Sequence, residues 1–222
     1  METYAQYEGV YAEWSPNEKV ALEAAIGAAV AGEKAMAVMK HVGVNVAADP
    51  LFTASYTGTN RALVIISADD PSMHSSQNEQ DNRNYAKFAK VPMLEPADSQ
   101  EAKEFIKIAF DLSEQFDTPV MLRTTTRVAH SKSIVNLEEP GVFEDKTALL
   151  TNASKYVMVP GNSRVRRQLV EKRTAALKQF AESSVLNRVE MKSKDVGIIT
   201  SGMPYNYAKD AFPEYSYLKL GM

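Results

Sequence analysis

The sequence predicts an α/β protein with a doubly wound, mainly parallel sheet, followed by the start of a second α/β domain. The run Ala62–Ala68 (ALVIISA) is almost continuously apolar and lies between polar residues, which is typical of a strand buried on both faces. The segment Asp98–Phe116 instead carries its apolar residues at helical spacing. Strand patterns alternate with helix patterns along most of the chain, and this alternation indicates parallel βα units.

The N-terminal elements begin this alternation. Gly9–Trp14 is predicted to be a short strand, and a helix rich in Ala and Gly follows from Ser15 to about Gly32. Ser15 and Glu18 have the spacing of a capping box, which marks the start of a helix. The next strand is predicted at Ala35–Met39.

The middle of the chain continues in the same way. Asp98 and Glu101 again have capping-box spacing, with Asp in place of Ser or Thr. The predicted elements are, in order, a helical stretch from about Asp49, the strand Ala62–Ala68, a polar helix at Asn78–Phe88, a short strand at Val91–Leu94, the helix Asp98–Phe116 and a strand at Pro119–Thr125.

The character of the sequence changes at about Ser131. An irregular stretch that contains Pro140, Pro160 and Gly161 precedes a long charged helix at Asn162–Leu186, and a strand and turn follow at Asp195–Gly202. We therefore divide the chain into residues 1–130, a linker with the long helix at 131–192, and the start of a second domain at 193–222. The basic residues of the long helix are expected to form a solvated face, the alternative being a contact with the acidic surface of a partner: Arg164, Arg166, Arg167, Lys172 and Arg173.

Composition excludes several classes of protein. The chain has 222 residues, no cysteine and a formal net charge of −3, so it cannot itself hold a cysteine-ligated cluster. The slightly acidic charge gives no support for nucleic-acid binding. The longest apolar run, Val20–Gly32, is too short to span a bilayer, and the first residues carry no basic signal-peptide region. We expect a cytoplasmic protein with no membrane or nucleic-acid partner.

Three polar segments follow predicted strands. They are Lys40–Asn45, predicted to be a loop, Asp69–Asn78 and Thr124–His130. Because ligands bind at the carboxyl ends of parallel strands, these segments are expected to form one functional edge. Their candidate residues are His41, Gly43 and Asn45 in the first segment, Asp70, His74 and Gln77 in the second, and Arg127 and His130 in the third.

Each candidate has a plain structural alternative. Glu18 can close a helix N-terminus, or it can present a carboxyl group to a ligand. Asp70 and His74 form at most a weak metal pattern, and Ser76 with Glu79 fits a further capping box, yet so many polar side chains favour a substrate loop. Arg127 and His130 can bind an anion or form a salt bridge.

Several of these runs resemble one enzyme family, the thiamine diphosphate-dependent 2-oxoacid:ferredoxin oxidoreductases, and within it the alpha subunits that act on indolepyruvate. The resemblance covers essentially the whole chain. It rests on Glu13–Glu23, Met39–Leu51, Ala68–Pro71 with His74–Asp81, Tyr85–Lys90 and Leu122–Ser131.

The resemblance implies a fold, an activity and cofactors. Residues 1–130 are similar to the pyrimidine-binding domain of the thiamine diphosphate-binding fold, and residues 193–222 to the start of a transketolase C-terminal-like domain. The members that act on indolepyruvate oxidatively decarboxylate aryl pyruvates with coenzyme A, giving arylacetyl-CoA, CO₂ and reduced ferredoxin. The family uses thiamine diphosphate, Mg²⁺ and [4Fe–4S] clusters, and it works as an oligomer with a beta subunit.

The resemblance also implies roles for individual residues. Glu18 occupies the position of the glutamate that hydrogen-bonds N1′ of the aminopyrimidine and so promotes loss of the thiazolium C2 proton. His41, Gly43 and Asn45 are expected to line the aminopyrimidine pocket. Asp70, His74 and Gln77 are expected on the substrate side.

The sequence also departs from the family pattern. It lacks the family's N-terminal segment, the motif that binds the diphosphate and Mg²⁺, and the cysteine-rich tail. We therefore expect a fragment that is inactive alone and ligates neither metal nor clusters, with the diphosphate-binding domain elsewhere. The alternatives are an oxidoreductase for pyruvate or branched 2-oxo acids, and a non-catalytic assembly module.

Overall fold

A computed structural model describes residues 6–7, 9–139 and 148–222. Its larger sheet has four parallel strands in the order β1-β2-β4-β3. This sheet confirms the predicted α/β class with parallel strands. The strands are β1 (Ala35–Lys40), β2 (Leu63–Asp69), β3 (Met93–Leu94) and β4 (Val120–Thr125).

Helices cover both faces of this sheet. Residues of β2 alternate between two apolar cores: Leu63 and Ile65 pack with the first helices, whereas Val64 packs with the long helix after β3. Burial on both faces explains why the run has no polar alternation. The helices are α1 (Glu18–Val30), α2 (His41–Val46), α3 (Ala48–Thr57), α4 (Arg83–Ala89), α5 (Ser99–Phe116) and α6 (Thr126–His130).

The long charged helix begins and ends close to its predicted limits. The short helix α7 (Ala153–Tyr156) leads into α8 (Pro160–Ser183), but the basic face of α8 is not simply solvated. Arg166 and Arg173 are buried, and they donate hydrogen bonds to main-chain carbonyls of residues 55–57, at the end of α3. Helix C-terminal carbonyls lack intrahelical partners and attract cations, so these arginines stabilise the helix end. Burial lowers the pKa of Arg173 to about 10.

The C-terminal residues form a second, smaller sheet of order β5-β7-β6. β7 pairs parallel with β6 and antiparallel with β5. This sheet is attached to the end of the first one, because the main-chain N–H of Glu95 donates to the carbonyl of Gly221 at 2.9 Å. Its elements are β5 (Arg188–Glu190), β6 (Gly197–Ser201), α9 (Gly202–Ala211) and β7 (Ser216–Leu220).

A buried ion pair also joins the second sheet to the first unit. Lys219 on β7 is fully buried and donates to the Glu101 carboxylate on α5, and its Nζ lies 5.3 Å from the centre of the Phe105 ring. Burial alone would raise the pKa of Glu101, but hydrogen bonds from Lys219 and from the Ala97 N–H outweigh it and lower that pKa. The Glu101 carboxylate is therefore charged at neutral pH.

Two predicted elements are wrong. Residues 9–14 form no strand in the described part of the chain, and Tyr11 and Trp14 are 84% and 83% exposed. A strand requires a hydrogen-bonded neighbour, and this segment has none among the described residues. The predicted loop at His41–Asn45 is instead the short helix α2, because packing of its buried Val44 outweighs the low helix propensity of Gly43.

Helix starts also differ from two of the three predicted capping boxes. Asn17, not Ser15, caps α1, and its side chain accepts from the Val20 N–H. The polar helix begins only at Arg83, so Ser76 does not cap it. Asp98 does cap α5 by accepting from the Glu101 N–H. Within the described residues, no helix combines the length and the apolar character needed to cross a membrane.

We expect Lys219→Met to lower the free energy of unfolding by about 2 kcal/mol, because the buried Glu101 carboxylate loses a charged hydrogen-bond donor and keeps only Arg188 as a counter-charge. Adding Glu101→Gln should recover part of the loss, since the buried charge is then removed. Urea denaturation measures both values. Lys172→Met, at an exposed position of α8, is the control. Equal stability of Lys219→Met and the control would contradict the assignment.

Candidate functional site

The carboxyl ends of β1, β2 and β4 meet at one edge of the larger sheet, as parallel strands require. Helix α2 follows β1, the polar loop of residues 70–82 follows β2, and α6 follows β4. The three predicted segments therefore do lie along one edge.

Glu18 lies against α2 at this edge. It is the first residue of α1 and is half-buried. A Cβ added at Gly43 would lie 3.0 Å from Glu18 Cδ and 3.1 Å from Oε1, and closer still to Cγ. The carboxylate of Glu18 thus rests on the bare backbone of Gly43, and only glycine leaves room for it.

The Glu18 carboxylate is not used for capping. Asn17 caps α1, and in the described part of the chain no hydrogen bond or ion pair reaches the Glu18 side chain. An acidic group at a helix N-terminus with no internal partner is available to a ligand. The structure thus brings together two of the predicted cofactor residues, Glu18 and Gly43.

His41 has a different environment. It is fully buried at the start of α2, with Nε2 lying 3.1 Å from the carbonyl of Asn78 and Nδ1 3.4 Å from that of Ala68. Its ring therefore connects β2 to the polar loop. Asn45 is exposed on the same helix and accepts a 2.5 Å hydrogen bond from the Tyr85 hydroxyl.

Asp70 organises the polar loop. Its carboxylate is buried and accepts hydrogen bonds from the N–H groups of His74 and Ser75 and from the hydroxyls of Ser76 (2.6 Å) and Thr126 (2.7 Å). These bonds, the Ser76 hydroxyl first, hold the pKa of Asp70 well below its usual range. The carboxylate is therefore charged and directed into its own loop.

His74 and Gln77 lie on the outside of this loop and are exposed. The His74 side chain lines a cavity of about 610 Å³ together with Arg127, His130 and residues of α9. Gln77 is not among the residues that line this cavity. In the described ranges, no group of three or more His, Cys, Asp or Glu residues is arranged to hold a metal ion.

Sequence reasoning missed a buried polar network beneath the loop. Arg123 on β4 donates to Asp69 Oδ2 at 2.6 Å and also to Glu95, which follows β3. Asp69 accepts in addition from the Asn82 N–H, and the Asn82 amide donates to the carbonyl of His41. The available signal was an arginine inside an otherwise apolar strand, since a buried charge requires a partner.

With this geometry established, comparison with known proteins decides the family. Residues 2–194 match the family model described as pyruvate flavodoxin/ferredoxin oxidoreductase, thiamine diphosphate-binding. The chain belongs to this family. The description of the pyruvate flavodoxin/ferredoxin oxidoreductase family relates the chain to proteins that bind thiamine diphosphate.

Curated relatives confirm the resemblance stated from the sequence. The chain is 49% identical to indolepyruvate oxidoreductase subunit IorA of Methanothermobacter marburgensis, over 98% of the chain and 36% of the relative. It is 46% identical to the IorA subunit of Archaeoglobus fulgidus, over 90% of the chain and 32% of the relative. The chain thus spans about a third of the length of these relatives, which are subunits of oxidoreductases.

A solved structure supports the fold independently. The 2-oxoglutarate:ferredoxin oxidoreductase from Magnetococcus marinus aligns with a TM-score of 0.72 over 99% of this chain and 47% of that chain. The sequences are only 14% identical, so this likeness concerns the fold alone.

Asp70→Asn should loosen the polar loop, because an amide cannot replace a carboxylate as the acceptor of four hydrogen bonds. We expect amide hydrogen exchange at His74 and Ser75 to become roughly tenfold faster or more, since bonds to a charged acceptor are lost. Asp111→Asn, at an exposed position of α5, is the matched control. Unchanged exchange in Asp70→Asn would show that the carboxylate does not order the loop.

Proposed function

We propose that this chain supplies the pyrimidine side of a thiamine diphosphate site in an indolepyruvate:ferredoxin oxidoreductase. The complex would oxidatively decarboxylate aryl pyruvates with coenzyme A to arylacetyl-CoA, CO₂ and reduced ferredoxin. One observation carries the proposal: a half-buried Glu18 carboxylate, which has no hydrogen-bond or ion-pair partner among the described residues, rests on Gly43 at the carboxyl edge of the sheet. The names of the relatives support the choice of substrate.

The residues present fit an aminopyrimidine. The space that a Cβ of residue 43 would fill is occupied by Glu18, so the carboxylate lies against α2 while its oxygens stay available. Bound thiamine diphosphate supplies an electron sink for decarboxylation of a 2-oxo acid. Glu18 would hydrogen-bond ring nitrogen N1′ and hold a proton there, which is general acid–base work for a positioned carboxyl group.

The other predicted site residues would shape the cofactor pocket and the substrate side. Through α2, His41 and Asn45 would shape the wall of the aminopyrimidine pocket, with the buried His41 ring fixing the helix to the polar loop. Asp70 would order that loop, and His74 and Gln77 would face the substrate side.

Further parts of the enzyme would come from outside these residues. The chain has no cysteine, so [4Fe–4S] clusters would be held elsewhere, as would Mg²⁺ and the diphosphate. We propose as partners a beta subunit, a diphosphate-binding domain and ferredoxin, in a cytoplasmic oligomer. We also propose that residues 1–130 form the pyrimidine-binding domain, 131–192 a linker, and 193–222 the start of a transketolase C-terminal-like domain.

Glu18→Gln in the assembled oxidoreductase should lower kcat with phenylpyruvate or indolepyruvate by about 100-fold or more, because a positioned acid–base group typically contributes that much. Reduction of ferredoxin measures the rate, and pyruvate is the comparison substrate. Near-normal turnover in Glu18→Gln would reject the role of Glu18. Faster turnover of pyruvate by the unaltered enzyme would reject the aryl pyruvate assignment.

Gly43→Ala tests the same geometry without touching the carboxyl group. The new methyl group must displace the Glu18 side chain, so we expect kcat to fall by about 10- to 100-fold, as misplacement of a catalytic group does. Gly27→Ala in α1 is the matched control, since an added Cβ there meets nothing within 4 Å. Equal activities of the two alanine variants would contradict the contact.

A further inference from the structure

The cavity of about 610 Å³ behind the polar loop has a composition that the role of Glu18 does not explain. It opens between that loop, helix α6 and helix α9 of the second unit. Its volume lies within the usual range for small-molecule sites. The residues that line it are His74, Ser75, Thr126, Arg127, His130, Ser131, Met203 and Tyr207.

The cavity lining contains three basic side chains and no Asp or Glu. They are Arg127, His130 and His74, so two of the three histidines of the chain meet here. Among the described residues, no carboxylate pairs with Arg127, and no hydrogen bond reaches the imidazole rings of His74 and His130. The nearby carboxylate of Asp70 is directed into the loop and bonds to Thr126.

Other arginines of the chain contrast with Arg127. Arg123 pairs with Asp69, Arg166 with Asp117, and Arg188 with Glu101. Arg127 is exposed on the one-turn helix after β4, at the edge where ligands bind in parallel sheets. A guanidinium that has no carboxylate partner in the described ranges and lines a cavity beside two imidazoles is suited to an oxyanion, because its fork of N–H donors matches carboxylate and phosphate oxygens.

Part of the cavity lining is apolar or aromatic. Met203 and Tyr207 of α9 contribute it, and Tyr207 is exposed. A ligand that has both an oxyanion and a flat apolar group would therefore find a matching contact for each. An aromatic ring and a thioether favour such a group through ring stacking and sulfur contacts.

We propose that this cavity binds the carboxylate or phosphate end of an organic anion, with Arg127 as the principal contact and His74 and His130 beside it. The site extends the proposed substrate side at His74, but it does not rest on the cofactor role of Glu18. A Glu18→Gln variant with normal turnover would therefore not affect the proposed anion site. Likewise, failure of the anion-binding test would not affect the proposed role of Glu18.

Binding to the full chain can be measured by NMR titration with four probes: acetate, benzoate, inorganic phosphate and phenyl phosphate. We expect the aromatic member of each pair to bind more tightly than its small counterpart, and the preferred anionic group separates carboxylate from phosphate ligands. Arg127→Ala should weaken the tighter probe roughly tenfold or more, through loss of charge-assisted hydrogen bonds. Arg127→Lys should weaken it less.

Arg164→Ala provides the matched control, because Arg164 is also exposed but lies on α8 away from the cavity. It should leave all four affinities unchanged. Chemical-shift changes should cluster at residues 74, 127, 130 and 207. Equal affinities in Arg127→Ala and Arg164→Ala would overturn the proposal, and so would the absence of binding by any probe or shifts confined to another surface.

Discussion

The buried ion pair between Arg123 and Asp69 is the interaction on which the edge of the larger sheet depends. It joins β4 to the end of β2, and the second contact of Arg123, with Glu95, adds the end of β3. Asp69 also accepts from Asn82, so both ends of the polar loop are fixed to the sheet. The Asn82 side chain in turn donates a hydrogen bond to the carbonyl of His41 at the start of α2. Helix α2 also carries Gly43, on which Glu18 rests.

Elements with strong local patterns could be predicted from the sequence. The apolar run of β2 and the helical spacing of α5 each carry a signal that tertiary context reinforces, and their limits differ little from the predicted ones. Residues 9–14 show why other elements could not be predicted. Residues with a strand pattern form a strand only when a neighbouring strand pairs with their main-chain groups, and no pattern within the segment reveals such a neighbour. Helix α2 is likewise decided by packing rather than by propensity.

The candidate site also has features that the sequence could predict and features that it could not. Parallel topology alone predicts that α2, the polar loop and α6 share one edge, and they do. Which carboxylates are free depends on side-chain distances. Asp70 accepts hydrogen bonds from its own loop, whereas Glu18 has no partner among the residues that the structure describes. Two arginines of α8 that were expected to be solvated stabilise the end of α3 instead. Spacing along the chain contains none of these distinctions, because each depends on residues from distant elements.

The contact between Glu18 and Gly43 also limits how this sequence can change over time. A side chain at position 43 and an acidic group held in its place at position 18 are mutually exclusive. A lineage that needs the acid must therefore keep a glycine 25 residues further on, although that glycine has no reactive group of its own. Conversely, loss of the acidic side chain would remove this constraint, and position 43 could then accept a larger residue.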